Sequence, residues 1–85
     1  MPLVLSRAAA RALQRLERSD AREHARIREH LAEIEADPTG RHSTALVHLR
    51  GRRSRCGAWR LMYDLGDPIR VRTISHRRNA YAQKG

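Results

Sequence analysis

The tripeptide Pro38-Thr39-Gly40 divides this chain into two halves that obey different periods, and that division limits the fold more than any other feature. Before it, apolar residues return at three- and four-residue intervals, the spacing of one face of a helix. After it, apolar and polar residues alternate over short runs punctuated by glycine, the spacing of a half-buried strand. Eighty-five residues patterned this way suit one small domain, residues 1–85, in which helices cover a sheet.

Pro2–Leu5 is a short apolar run suited to a strand, and Ser6 stands where it would cap the helix that follows. From Ser6 to about Arg18, Ala9, Ala12, Leu13 and Leu16 share one face, while Arg7, Arg11, Gln14 and Arg18 lie elsewhere. Asp20 followed by Glu23 has the form of a capping box. Ile27, Leu31 and Ile34 then carry a second helix of about 17 residues to Asp37. Beyond the break, Ala45–Leu49, Arg53–Cys56, Trp59–Leu65 and Ile69–Ser75 read as strands, separated by Gly51, Gly57-Ala58 and Gly66-Asp67-Pro68. In the third of these, Trp59, Leu61, Tyr63 and Leu65 alternate with Arg60, Met62 and Asp64. In the last, Ile69, Val71 and Thr73 alternate with Arg70 and Arg72. The predicted class is α+β in the order β-α-α-β-β-β: a two-helix hairpin on one face of a small, mainly antiparallel twisted sheet. The other face is left open and studded with arginine.

Charge divides along the same line. The chain carries 18 Lys+Arg against 9 Asp+Glu. Residues 1–40 hold seven Arg and seven acids, so the helical half is neutral. Residues 41–85 hold ten Arg and Lys84 against Asp64 and Asp67, which confines the whole net charge of +9 to the strand half. Such a field suits a polyanion, and arginine's planar fork grips phosphate in two places and stacks on bases. Apolar material is thin, with only 16 residues of Leu, Ile, Val and Phe combined, so the core must be small.

Several functions fall away. No run approaches the roughly 20 apolar residues of a membrane span, and Met1–Leu5 has no long apolar segment of the kind a secretory signal needs, so a cytoplasmic chain is expected. Cys56 stands alone and in no Cys-x-x-Cys pair, in keeping with a reducing compartment. The five histidines (24, 30, 42, 48 and 76) form no His-x-x-x-His pair, and no glycine-rich phosphate loop or Ser/His/Asp arrangement is present, so neither a metal nor a cofactor is expected.

The stretch Arg53-Ser54-Arg55-Cys56-Gly57-Ala58-Trp59-Arg60-Leu61-Met62-Tyr63 resembles the Arg-x-Arg-x-Gly-x-aromatic-Arg-x-x-Tyr signature of the RelE/ParE superfamily of bacterial toxin-antitoxin toxins. Ile74-Ser75-His76-Arg77-Arg78-Asn79-Ala80-Tyr81 is similar to that family's closing strand and its His-Arg-x-x-x-Tyr ending. The resemblance covers nearly the whole chain, and the family fold it implies is the arrangement already read from the periodicity. Between Leu49-Arg50-Gly51 and Arg53 the chain is shorter than in the family, so no family basic position is carried onto Arg50 or Arg52.

Two chemistries share that family. RelE-like members cut messenger RNA in the ribosomal A site, and ParE-like members poison DNA gyrase without catalysis. By resemblance to the nucleases, Arg60 and Arg77 would brace the scissile phosphate, and Arg53, Arg55 and Arg78 would hold RNA. Tyr81 would stack on a base or handle a proton, and His76 is a second candidate proton carrier, since some family members use a histidine as general acid in this neighbourhood. Arginine itself stays protonated at neutral pH, so it supplies position and charge but not protons. No Glu follows residue 36, which excludes a glutamate base. The family further implies a cognate antitoxin, a toxin–antitoxin hetero-oligomer, and the ribosome with its mRNA as partners, without a membrane. The leading expectation is a ribosome-dependent endoribonuclease; the rivals are a gyrase poison and a nucleic-acid-binding module without chemistry.

Overall fold

The computed structural model describes residues 2–46 and 51–77 of the chain. His48 and Arg50, and the predicted site residues Arg78 and Tyr81, lie outside the described residues.

Strand β1 (Leu3–Leu5) runs into helix α1 (Arg7–Ser19), and Ser6 makes the transition. Its hydroxyl accepts from the Ala9 amide at 3.0 Å, as the predicted cap requires, and donates to the Arg72 carbonyl at 2.6 Å. Ala9, Leu13 and Leu16 form the buried stripe of α1. Asp20 closes α1 and opens α2 (Ala21–Ala36): its amide donates to Leu16, and its carboxylate accepts from the Glu23 amide at 3.2 Å. The Glu23 carboxylate does not complete the expected capping box. It turns to Arg26 at 3.0 Å and to the indole N–H of Trp59 at 3.2 Å, linking the helix to the sheet. Ile27, His30, Leu31 and Ile34 are the buried residues of α2.

Four strands complete a five-stranded sheet: β2 (Ser43–Ala45), β3 (Gly51–Cys56), β4 (Trp59–Asp64) and β5 (Ile69–His76). Their spatial order is β1-β5-β4-β3-β2, with β1 parallel to β5 and every other pair antiparallel. The predicted class and element order therefore hold, and strand ends move: β3 begins at Gly51 instead of Arg53, β4 ends at Asp64 instead of Leu65, and β5 ends at His76 instead of Ser75. Of the predicted second strand Ala45–Leu49, residues 47–49 lie outside the described residues; the described strand β2 begins earlier, at Ser43, pairing Ser43 with Ser54 and Ala45 with Arg52, while the Leu46 amide donates to Gly51. The earlier start follows from register to β3, which sequence periodicity does not show.

A second departure lies in β5. Strict alternation would bury Thr73, yet Thr73 is exposed and Ile74 is buried. The register explains it: Met62 pairs with Thr73 and Tyr63 with Val71, so Arg72 is an extra residue bulged out of the ladder. The bulge lets Ile69, Val71 and Ile74, spaced by two and then by three, face the helices together. Around them Leu61, Tyr63, Ile27 and Ile34 have no measurable exposure. The Tyr63 hydroxyl donates to the Pro38 carbonyl at 2.6 Å, so the break between the two halves is tied into the core.

Candidate nucleic-acid interface

Paired residues of an antiparallel ladder share a face, so the register distributes the side chains of the strand half. Trp59, Leu61 and Tyr63 lie on the helix side with their partners His76, Ile74 and Val71. Arg55 and Arg60 are directly opposite one another on the open side, and Arg53 pairs with Met62 two residues along. Like charges so placed repel. Arg77 joins them because its amide donates to the Ala58 carbonyl at 2.8 Å, which draws the chain after β5 onto the β3–β4 turn. Arg55, Arg60, Arg77, Gly57, Ala58 and Trp59 line an open depression of about 270 Å³. A second depression, bounded by Arg41, His42, Thr44, Arg53 and Arg55, continues the arginine surface toward β2.

The turn at the base of the first depression is built by Gly57, whose φ of +62° favours glycine. The Arg26 guanidinium lies above it: a Cβ at Gly57 would stand 3.1 Å from the Arg26 Nη2. The wall is Trp59, held by Glu23. Among the described residues no carboxylate lies within ion-pair distance of Arg53, Arg55, Arg60 or Arg77; the ion pairs are Arg26–Glu23 and Arg72–Asp64, and Glu33 lies beside the His30 ring. Asp64 is thus spent at the far end of the open face, where Arg72 meets it at 3.7 Å and Arg70 is its ladder partner. Among the described residues the open face at the end carrying Arg55, Arg60 and Arg77 holds no carboxylate, and Glu23 approaches only from the helix side, at Trp59.

His76 is elsewhere. It pairs with Trp59 on the helix side, ring to ring at 5.1 Å and 84°, and borders a groove of about 450 Å³ with Ala12, Leu16 and Ile74. Of the described candidates, then, Arg55, Arg60 and Arg77 come together, Arg53 adjoins them, and His76 is separated from them by the sheet. Among the described residues Trp59 alone borders both sites.

The sequence reading missed a buried polar network. His30 Nε2 lies 2.5 Å from the Ser54 hydroxyl, which also contacts the His42 carbonyl at 2.6 Å. The single Ser54 hydrogen must go to that carbonyl, so His30 donates from Nε2 and turns Nδ1 toward Glu33 at 3.8 Å. His42 Nε2 in turn donates to the Asp37 carbonyl at 2.7 Å. Burial lowers the His30 pKa from its ordinary value; Glu33 partly opposes this and His42 reinforces it. Burial likewise pushes the Cys56 thiol up, against the nearby Arg26 charge, and keeps it protonated. The network had a signal: His30 falls three residues after Ile27 and four before Ile34, on the buried stripe of α2, and Ser54 alternates inward between Arg53 and Arg55.

Solved structures share this fold. The chain superposes on a YoeB/ParE toxin from Agrobacterium tumefaciens with a TM-score of 0.78 at 18% identity, covering 89% of this chain and 98% of that one. A YoeB dimer from Staphylococcus aureus gives 0.74 at 18% identity, with 89% and 95% covered. No protein-family model and no curated protein sequence matches the chain. The architecture is that of the YoeB/ParE toxins over nearly the whole length. No helix among the described residues is long and apolar enough to cross a membrane.

Proposed function

We propose that this chain is a toxin of the RelE/ParE superfamily with RelE-like chemistry: an endoribonuclease that cuts messenger RNA in the ribosomal A site and is neutralised by a cognate antitoxin. The observation that carries the reading is the convergence of Arg55, Arg60 and Arg77 on one depression at the acid-free end of the open sheet face. Three guanidinium groups held without carboxylate partners form a site for an anion whose charge grows during reaction.

In the proposed reaction the RNA 2′-oxygen attacks the adjacent phosphorus and loses its proton. The P–O bond to the 5′-oxygen breaks, and that oxygen leaves with a proton, giving a 2′,3′-cyclic phosphate. Arg60 and Arg77 brace the non-bridging oxygens, and Arg55 and Arg53 guide the flanking backbone. The two protons need carriers other than arginine, and by resemblance Tyr81 is one of them. Arg78 extends the RNA contact. His76, across the sheet from the arginines, takes no part in the proton transfers. A cytoplasmic site of action belongs to the same reading.

Brief expression of the chain alone in bacteria, with RNA ends mapped, tests it. Cuts within translated codons are expected, abolished by Arg60→Ala, Arg77→Ala and Tyr81→Phe and retained in His76→Ala. Filamentation with an SOS response and intact mRNA would instead identify a gyrase poison.

A further inference from the structure

The helical half is neutral in sum but not in space. Helix α1 carries Arg7, Arg11, Arg15 and Arg18 against Glu17 alone, whereas α2 carries Arg22, Arg26 and Arg28 against Glu23, Glu29, Glu33 and Glu35. At about 100° per residue the four α1 arginines fall within an arc of roughly 80°, opposite the buried Leu13 and Leu16. All four are exposed. None forms an ion pair with a described carboxylate; of the α2 acids, Glu23 is turned to Arg26 and Glu33 to His30. Arginines four residues apart repel along a helix. No carboxylate among the described residues lies within ion-pair distance to relieve that repulsion.

We propose that this α1 stripe is a second RNA-binding surface that takes the phosphate backbone of a folded RNA. Arg7, Arg11 and Arg15 are each about 6 Å apart along the axis, so successive forks can meet successive backbone phosphates. The stripe is filled out by Gln14 and contains no apolar or aromatic anchor, which a protein partner's interface would need at its centre. Protein–nucleic acid interfaces are polar and positive instead. The stripe lies opposite the buried side of α1, with Arg15 at its edge bordering the groove shared with Trp59 and Ile74, while Arg53, Arg55 and Arg60 face away from the helices, on a body measuring 31 × 28 × 23 Å. Among the described residues the two surfaces meet only around the start of β4, where Trp59 borders both the arginine depression and the groove that Arg15 lines. An RNA that engages both surfaces must fold around the molecule, as a structured RNA does. The inference goes beyond the nuclease reading and does not depend on cleavage.

The test measures binding of the full chain to an RNA hairpin with a stem of about 16 base pairs and to a short single strand, across salt from about 50 to 200 mM. Arg11→Gln with Arg15→Gln leaves helix propensity intact, because both sites are exposed and glutamine is a good helix former. This pair is expected to weaken hairpin binding and to reduce the slope of log affinity against log salt by about 1.8, the duplex value for two lost phosphate contacts. Single-strand binding should change less than twofold (about 0.4 kcal/mol), and Arg11→Lys with Arg15→Lys should restore the slope. Arg55→Gln with Arg60→Gln should instead weaken the single strand. An unchanged hairpin slope in the α1 pair overturns the proposal, as does equal loss on both probes. Loss of binding to a glutamate-rich peptide with hairpin binding intact also overturns it, in favour of a protein surface. Cleavage is not read in this assay, so failure here and failure of the nuclease reading are separate results.

Discussion

Ser54→Ala tests whether the buried network at the end of α2 stabilises the fold. Ser54 is 1% exposed, and its hydroxyl receives His30 Nε2 and donates to the His42 carbonyl. Alanine fits the space and removes both bonds, leaving the His30 N–H and the His42 carbonyl without their partner. A stranded buried polar group is unfavourable by about 1–3 kcal/mol. With His42 only half-buried, the pair sums to about 2–4 kcal/mol. That is a large share of the roughly 4–13 kcal/mol expected for a chain of this length. It translates into a fall in Tm of roughly 10–30 °C for a small domain. Thermal and denaturant unfolding by circular dichroism measures it. His30→Leu on top of Ser54→Ala removes the stranded donor, and the double variant should recover about 1–2 kcal/mol relative to the sum of the single changes. A Ser54→Ala protein melting within about 3 °C of the parent would falsify the assignment of the network as stabilising.

Two further outcomes follow from the same geometry. Because burial lowers the His30 pKa, the unfolded chain binds the extra proton first as pH drops; the His30 contribution is complete above the ordinary value of about 6.5, declines as pH falls from there toward the folded value, and is constant below it. Denaturant midpoints measured from about pH 8 to 5 should show this decline, and His30→Leu should flatten it. Gly57→Ala forces a Cβ onto a left-handed residue and toward the Arg26 guanidinium, and should destabilise by about 1–2 kcal/mol. Since Arg26 can swing away, most of that is backbone strain, and adding Arg26→Ala should recover less than half of the loss in equilibrium unfolding.

Much of the site was legible before any coordinate. The alternation of Trp59, Leu61 and Tyr63 with Arg60 assigned Arg60 to the open face, and the parity of Arg53 and Arg55 assigned them together. The His76 position was not legible. It depends on the Arg72 bulge, because one extra residue in β5 puts Ile74 and His76 on the helix side in place of Thr73 and Ser75. A period-two pattern cannot reveal a bulge until the partner strand sets the register.

The sequence by itself determined what depends on near neighbours. Ser6 and Asp20 cap their helices through residues three positions on, and Pro38-Thr39-Gly40 ends α2 where helical spacing ends. Glycines between short alternating runs delimit the strands. Tertiary structure decided whatever joins residues far apart in the chain. It set β1 beside β5 in parallel, drew Arg77 onto the turn after Arg55, and closed His30 over Ser54. It also revealed that a half with seven positive and seven negative residues is not neutral where a ligand would meet it. Composition sums charge along the chain, whereas an electric field depends on distance, and only the packed helices fix which charges are close enough to cancel.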